Sequence, residues 1–421
     1  MQPLSLAFEE GSTAHEIRIR LSAGARRVGT IFFRCDALPL VANPDALLCL
    51  GLVPAMEIGA PLRVEGGVDP ALLANAAAIQ DLLCSWYPDY RRVDVSATPA
   101  GRSWSAGRGT ALFYSGGIDS SYSLATEKAR LDALVTIVDA RAPGEGGAAG
   151  RRLAGGLEQS AAALGLRPVV VESNVRAAMQ PFLGWIEFHG SAMAGIRHLL
   201  AAAFETVLIA SSGDETAWDE PWGSHPALDP LLGTPGARIE HHGLVKRLDK
   251  VRAILAEPAL MQRLHICNND SLVNCGRCRK CRFALACLEV LDAAGEAPTF
   301  PHDVRKAPGW TRLSGGTSRA RVRAMRDRAA DRFTISDDAI RSEFVYLRQA
   351  AATAGRCGGL VAEIDHALAD YDRSRQRLSF VDTEVLRLRL RRAKHRARYW
   401  RASRQGWRPH RARPDGADES P

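Results

Sequence analysis

A chain of 421 residues, 46% hydrophobic and 24% charged, has the composition of an ordinary water-soluble protein and the length for two or three domains. It holds no apolar run of about 18 residues, and its opening MQPLSLAFEEGS lacks a basic start before an apolar stretch, so a cytoplasmic protein with no membrane contact is expected. The formal net charge of +8 gathers towards the C-terminus, and nine cysteines, an odd number, do not suit a secreted disulfide framework in a chain this long.

Residues 1–100 alternate as strands do in HEIRIRL (15–21), VGTIFFRC (28–35) and PLRVEGG (61–67). A helix should then run from Asp69, a capping residue, with Pro70 at its first position, to about Trp86. This predicts a small N-terminal α+β domain. The polar, glycine-rich SATPAGRSWSAGRG at 96–109 reads as a linker.

From Thr110 the pattern changes. TALFYS, ALVTIVDA (133–140), RPVVVES (167–173) and ETVLIAS (205–211) are nearly continuous apolar runs, separated by segments of helical character near 119, 152–164 and 190–203. Buried strands alternating with helices predict an α/β fold with a doubly wound parallel sheet over 110–300, whose ligands sit at the carboxyl ends of the strands. Residues 318–405 are expected to be a basic helical region, and RPDGADESP falls in a disordered tail over 406–421.

In ALFYSGGIDSSYS (111–123), a strand runs into Ser115, Gly116 and Gly117, and a helix opens near Ile118 and Asp119. Two glycines free to take positive φ let successive backbone N–H groups converge on one anion, and the helix N-terminus adds its dipole. Ser115, Ser120 and Ser121 can hydrogen-bond further oxygens, and Asp119 can hold a divalent cation. The stretch reads as a phosphate cradle. It has neither the lysine and spacing of a Walker loop nor the G-x-G-x-x-G of a dinucleotide fold.

Ser115–Ser120 also match the SGGxDS motif, and here the chain resembles the PP-loop ATP pyrophosphatases of the adenine nucleotide alpha hydrolase-like fold. The resemblance implies cleavage of ATP between the α- and β-phosphates to adenylate a carboxylate or similar oxygen, with Mg²⁺ as cofactor. It also implies nucleotide contacts from Ser115 to Ser121, from Ile137 and Val138 on the second strand, and from Gly213 after the fourth.

Cys267, Cys275, Cys278 and Cys281 form a C-x7-C-x2-C-x2-C run. Two C-x2-C steps on a glycine-bearing turn bring thiolates together, and a fourth completes a tetrahedral zinc site of the closed, structural kind. An iron–sulfur cluster fits less well, because Cys287 comes six positions after Cys281 and the ferredoxin ending is missing. Cys35, Cys49, Cys84, Cys287 and Cys357 read as small buried residues.

SGGxDS together with a downstream C-G-x-C-x-x-C resembles one branch, the 7-cyano-7-deazaguanine synthases, over roughly residues 110–295. The resemblance implies Zn²⁺ and an ATP-dependent ligase joining an activated small-molecule carboxylate to nitrogen. Catalytic roles fall to Asp119 and Lys250, a lysine that the family carries before a helix. Two segments depart from the family: GSHPALDPL at 223–231 replaces its Y-P-D-C-R, and FHGS at 188–191 replaces its R-N pair.

Trp218, Trp222 and His225 lie in an acidic loop after the fourth strand and are candidates for a substrate pocket, or for tryptophans packed under a solvated loop. His241 and His242 read as loop or supporting residues. LRLRLRRAKHRARYWRASRQGWRPHRAR (386–413) carries a dozen Arg and Lys with Tyr399, Trp400 and Trp407 among them, which suits a nucleic acid or a partner protein, or a helix whose aromatics dock on the body. Alternative functions are a tRNA-modifying PP-loop enzyme, a peptide or protein carboxylate ligase of a defence or biosynthetic system, and a non-catalytic nucleotide-binding subunit.

Overall fold

The computed structural model describes residues 1–87, 90–101, 107–219, 221–267, 273–276, 278–301, 337–376 and 380–405. The protein is α/β. Strands β1 (Leu4–Phe8), β2 (Glu16–Ala23), β3 (Arg26–Arg34), β4 (Leu62–Val68) and β5 (Val95–Pro99) come from the first hundred residues. Strands β6 (Gly109–Phe113), β7 (Ala133–Asp139), β8 (Arg167–Ser173), β9 (Phe204–Ala210) and β10 (Arg238–His242) follow. All belong to one ten-stranded sheet in the order β10-β9-β6-β7-β8-β3-β2-β1-β4-β5.

From β10 to β8 every pairing is parallel, and the continuous apolar runs account for it, since both faces of these strands are covered. Leu112, Leu134 and Leu208 point to one face, towards α3 (Ile118–Glu127), α4 (Ala148–Leu164) and α7 (Arg247–Leu255). Phe113, Val135, Val207 and Ile209 point to the other, towards α1 (Pro44–Ile58) and α6 (Trp185–Leu199). The arrangement is compatible with a doubly wound sheet, and the order reverses between β6 and β9, where such sheets open a crevice.

The N-terminal strands join this sheet directly. β3 runs antiparallel to β8, with Phe33 opposite Ser173 and Arg34 opposite Glu172, and Ser173 Oγ donates to the Phe32 carbonyl at 2.7 Å. The segment expected as a linker begins inside β5, and its residues 102–106 lie outside the described residues. The expected helix after Asp69 is α2 (Pro70–Trp86), with the Asp69 carboxylate accepting from Ala71 N.

Helix α1 has no counterpart in the sequence reading. Asn43 caps it, Pro44 occupies its first turn, and all its residues are buried. Buried all round, with Asp45 and Glu57 as its charged residues, it shows neither the period of an amphipathic helix nor that of a strand. It packs closely on α6 because Gly195 leaves room; a Cβ there would stand 2.7 Å from Leu50 Cγ.

Helices α5 (Val175–Met179), α8 (Pro258–Met261) and α9 (Arg279–Val290) complete the central region, and α10 (Asp337–Ala354), α11 (Gly358–Gln376) and α12 (Phe380–Gln405) make up the helical C-terminal part. Phe344 of α10 meets Phe283 of α9 at 5.3 Å between ring centres. Helix α12 lies on α1, where Arg392 Nε and His395 Nδ1 reach the buried Glu57 carboxylate at 3.1 and 2.7 Å. Residues 318–336 and the expected disordered tail at 406–421 lie outside the described residues. Among the described residues no helix is long and apolar enough to cross a membrane.

Candidate functional site

A cavity of about 280 Å³ opens at the reversal of strand order. Ser115, Asp119 and Ser120 line it beside Phe113, Ile137 and Ile209. The loop after β6 is held from below, where the Thr136 hydroxyl donates to the Tyr114 carbonyl and the Tyr114 hydroxyl meets Ser160 Oγ at 3.1 Å. Gly116 takes φ +76°, and the space where a Cβ would stand is open. Gly117 precedes α3 with no side-chain cap, so the first-turn N–H groups of that helix keep their anion-attracting character. Ser115 and Ser120 hydroxyls lie 3.2 Å apart, while Ser121 is buried beneath the loop.

Lys250 is fully buried, and its Nζ donates to Asp119 Oδ1 and to the Ser211 carbonyl, both at 2.7 Å. Burial alone would raise the Asp119 pKa, but the Lys250 and Arg247 charges outweigh it and hold the carboxyl below its ordinary value. The two residues assigned catalytic roles from sequence thus meet, with Lys250 on the carboxylate instead of in the cavity. Arg247 Nη2 reaches the Ser212 carbonyl at 2.7 Å, and Lys246 pairs with Asp214, ordering the loop after β9.

Strand alternation separates two other expected residues. Ile137 faces the cavity, whereas Val138 points to the opposite face, where its Cγ1 would lie 2.4 Å from a Cβ at Gly150 of α4. Ser212, not Gly213, lines the cavity. Of the acidic-loop trio only Trp222 does; Trp218 is 55% exposed, and His225 is buried with its ring 4.5 Å from that of Trp86. His241 and His242 are not in a loop: they end β10, with His241 Nδ1 at 2.7 Å from Asp229 and His242 Nδ1 at 2.9 Å from Ser123 Oγ.

Several lining or supporting residues escaped the sequence reading. His189 and Met193 of α6 line the cavity, and His189, which meets Trp222 at 5.6 Å, has its pKa lowered by burial. Glu343 of α10 accepts from the Arg247 amide at 3.2 Å, placing an acidic group at the start of α7. No local signal ties Glu343 to a helix some hundred residues earlier.

The sulfurs of Cys267, Cys275, Cys278 and Cys281 lie within 4.8 Å of one another, a set that could hold a metal such as zinc. Zn–S bonds of about 2.3 Å in a tetrahedron place sulfurs about 3.8 Å apart. Cys275 and Cys281 are 3.9 Å apart, Cys278 and Cys281 3.4 Å. The turn is made by Gly276 at φ +66°, and Cys278 caps α9 by accepting from the Cys281 amide. Its neighbour thiols, Cys281 first, lower the Cys278 pKa towards the thiolate that a metal needs.

Asn274, fully buried, ties the two arms of this loop together. Its Oδ1 accepts from Ile266 and Cys267 amides at 2.9 and 3.1 Å, and its amide donates to the Leu264 carbonyl at 2.9 Å. One residue earlier, the His265 amide donates to the Gly116 carbonyl at 2.9 Å. The cysteine loop is therefore one hydrogen bond from the glycine loop.

No model of a known protein family, no curated protein and no solved structure matches the chain.

Proposed function

We propose that the protein adenylates a carboxylate with ATP, releasing pyrophosphate, and passes the activated acyl group to a nitrogen nucleophile, in the manner of the PP-loop ATP pyrophosphatases and their 7-cyano-7-deazaguanine synthase-like branch. The observation that carries this reading is the uncapped start of α3, with Gly116 open above it, facing a cavity at the reversal of strand order. The apolar wall of Phe113, Ile137 and Ile209 suits a purine ring.

In this reading a substrate carboxylate oxygen attacks the α-phosphorus, the bond to the bridging oxygen of the β-phosphate breaks, and the nitrogen nucleophile later displaces AMP. The α3 amides and the Ser115 and Ser120 hydroxyls stabilise charge on the departing pyrophosphate. Lys250 keeps Asp119 ionised and fixed. His189 and Trp222 close the far side of the cavity against the acyl substrate. The work is positioning and charge stabilisation.

Asp119 fits a hard divalent cation, since its Oδ2 takes no donor among the described residues and two hydroxyls stand nearby. Mg²⁺ bound there would neutralise polyphosphate charge. The four thiols fit zinc, which would fasten the loop carrying His265.

The test is ATP–pyrophosphate exchange with Mg²⁺, comparing 7-carboxy-7-deazaguanine with buffer alone and with Asp119→Ala. Exchange that needs the deazapurine acid and drops at least about a hundredfold in the variant supports the reading. A protein that binds ATP yet shows no exchange with this acid rules out the deazapurine assignment.

A further inference from the structure

Two segments far apart in the chain meet at the cavity beside α3. One is FHGS at 188–191, which holds His189 and Gly190 of α6; the other opens with Gly223 and Ser224. They touch backbone to backbone, because a Cβ at Gly190 would collide with the Gly223 carbonyl and one at Gly223 with the Ile186 carbonyl. The Gly223 amide donates to the Ile186 carbonyl at 3.1 Å. This close approach sets Trp222 edge-on against the His189 ring at 5.6 Å, and His189, Trp222 and Ser224 all line the cavity.

The same Ile186 carbonyl fixes the tautomer of His189. It lies 2.9 Å from Nδ1 and can only accept, so Nδ1 carries the proton and Nε2 keeps its lone pair. Nε2 has no hydrogen-bond partner among the described residues and, unlike Nε2 of His225 and His241, it is not sealed from solvent. Burial lowers the His189 pKa against the opposing charges of Asp229 and Glu187, so the ring is neutral at pH 7. The other titratable side chains lining the cavity are already engaged. The Tyr114 hydroxyl meets Ser160, and Lys250 holds Asp119 ionised where a cation fits.

We propose that His189 is the general base of the second half-reaction, receiving at Nε2 the proton that the nitrogen nucleophile sheds as it displaces AMP. This rests on the adenylation reading and extends it to acyl transfer. In the first step the attacking carboxylate is already ionised and needs no base. In the second, ammonia or a primary amine uses its lone pair to form a bond to the acyl carbon. The bond from that carbon to the AMP oxygen breaks, and AMP leaves with the electron pair. The nitrogen then holds one proton too many, and it passes to the Nε2 lone pair. The nucleophile therefore enters as a free amine on the side of the cavity formed by His189 and Trp222.

The experiment measures the two half-reactions apart, with 7-carboxy-7-deazaguanine and Mg·ATP. Pyrophosphate exchange reads the first, and AMP release driven by ammonium chloride or by hydroxylamine reads the second. His189→Asn is the variant, because its side-chain amide can still donate to Ile186 and offers no base. Transfer to ammonia should fall about a hundredfold or more, and exchange by less than about fivefold. Hydroxylamine, whose adduct gives its proton to water more readily, should bring transfer back to within about tenfold of the parent. Unchanged transfer to ammonia would overturn the proposal. So would an equal fall in exchange and both transfers, since a ring that only shapes the cavity acts on every step alike. His189→Gln gives the same split if the first variant fails to fold. In the full chain labelled with nitrogen-15 histidine, the His189 ring should be neutral at pH 7 with its proton on Nδ1; a charged ring or the opposite tautomer would overturn the proposal whichever acid is activated. Absence of exchange in the parent counts against the deazapurine reading instead, and the ring measurement still decides the base.

Discussion

The two ends of the sheet bury their strands differently. From β10 to β8 helices cover both faces, the strands are apolar throughout, and the cavity can lie only at their ends, where loops and helix N-termini converge. From β2 to β4 helices cover one face among the described residues, the strands alternate, and a second cavity lies on the sheet itself. A covered sheet offers backbone amides and fixed charges in a recess, suited to small anionic groups. An open sheet offers side chains on a plane, suited to long ones.

Variants at the two ends should therefore fail in different ways, and the largest effect is expected at the seal of the N-terminal part. Burial would raise the Glu57 pKa, but the His395 hydrogen bond and the Arg392 charge hold it low. Arg392→Met leaves this carboxylate with His395 as its remaining close partner and should cost about 3 kcal/mol in urea unfolding, with exchange activity per folded molecule unchanged. Lost activity in the folded fraction would mean that the two ends are mechanically one.

Asp45, at the start of α1, has its pKa raised by burial from 3.8 to about 6. The folded form thus holds its proton more tightly than the unfolded chain, and stability contributed by the protonated carboxyl is full below pH 3.8 and lost as pH rises through 6. Asp45→Asn, which keeps an oxygen for the Asp69 amide, should stabilise the protein by up to about 3 kcal/mol at pH 8, with the gain vanishing towards pH 4. A gain independent of pH would assign it to something other than titration.

At the covered end, Asn274→Ala leaves the Ile266 and Cys267 amides without their acceptor and should cost about 2 kcal/mol. Zinc per chain, measured by metal analysis, should fall with it, and a chelator should lower the melting temperature of the parent but hardly that of the variant. The smallest pair tests strand alternation. Val138→Ala should cost about 1 kcal/mol and leave the KM for ATP alone, whereas Ile137→Ala should raise that KM several-fold. The reverse result would place the nucleotide on the α4 face.

These contrasts explain what could be read in the sequence. The strands from β6 to β9 were legible because each is a short apolar run closed by a turn, and the glycine loop and cysteine run because their spacing is local. Helix α1 was not, since a segment buried all round shows no period. The side a residue faces was also out of reach where both sides are apolar, which is why Ile137 and Val138 looked equivalent. Glu343, His265 and Asn274 act through partners set by the fold, and Trp218 and His225 differ from Trp222 only in how their loop turns.

The Glu57 carboxylate and its partners Arg392 and His395 are 335 and 338 positions apart. During synthesis, α1 leaves the ribosome long before the residues that pair with the buried acid at its C-terminal end. The first hundred residues must wait, with Glu57 protonated or solvated, until the final helix arrives. The order of completion thus runs against the order of synthesis: the earliest segment made is the last to be closed, and a chain that stops short of α12 carries an unfinished N-terminus however well its centre has folded.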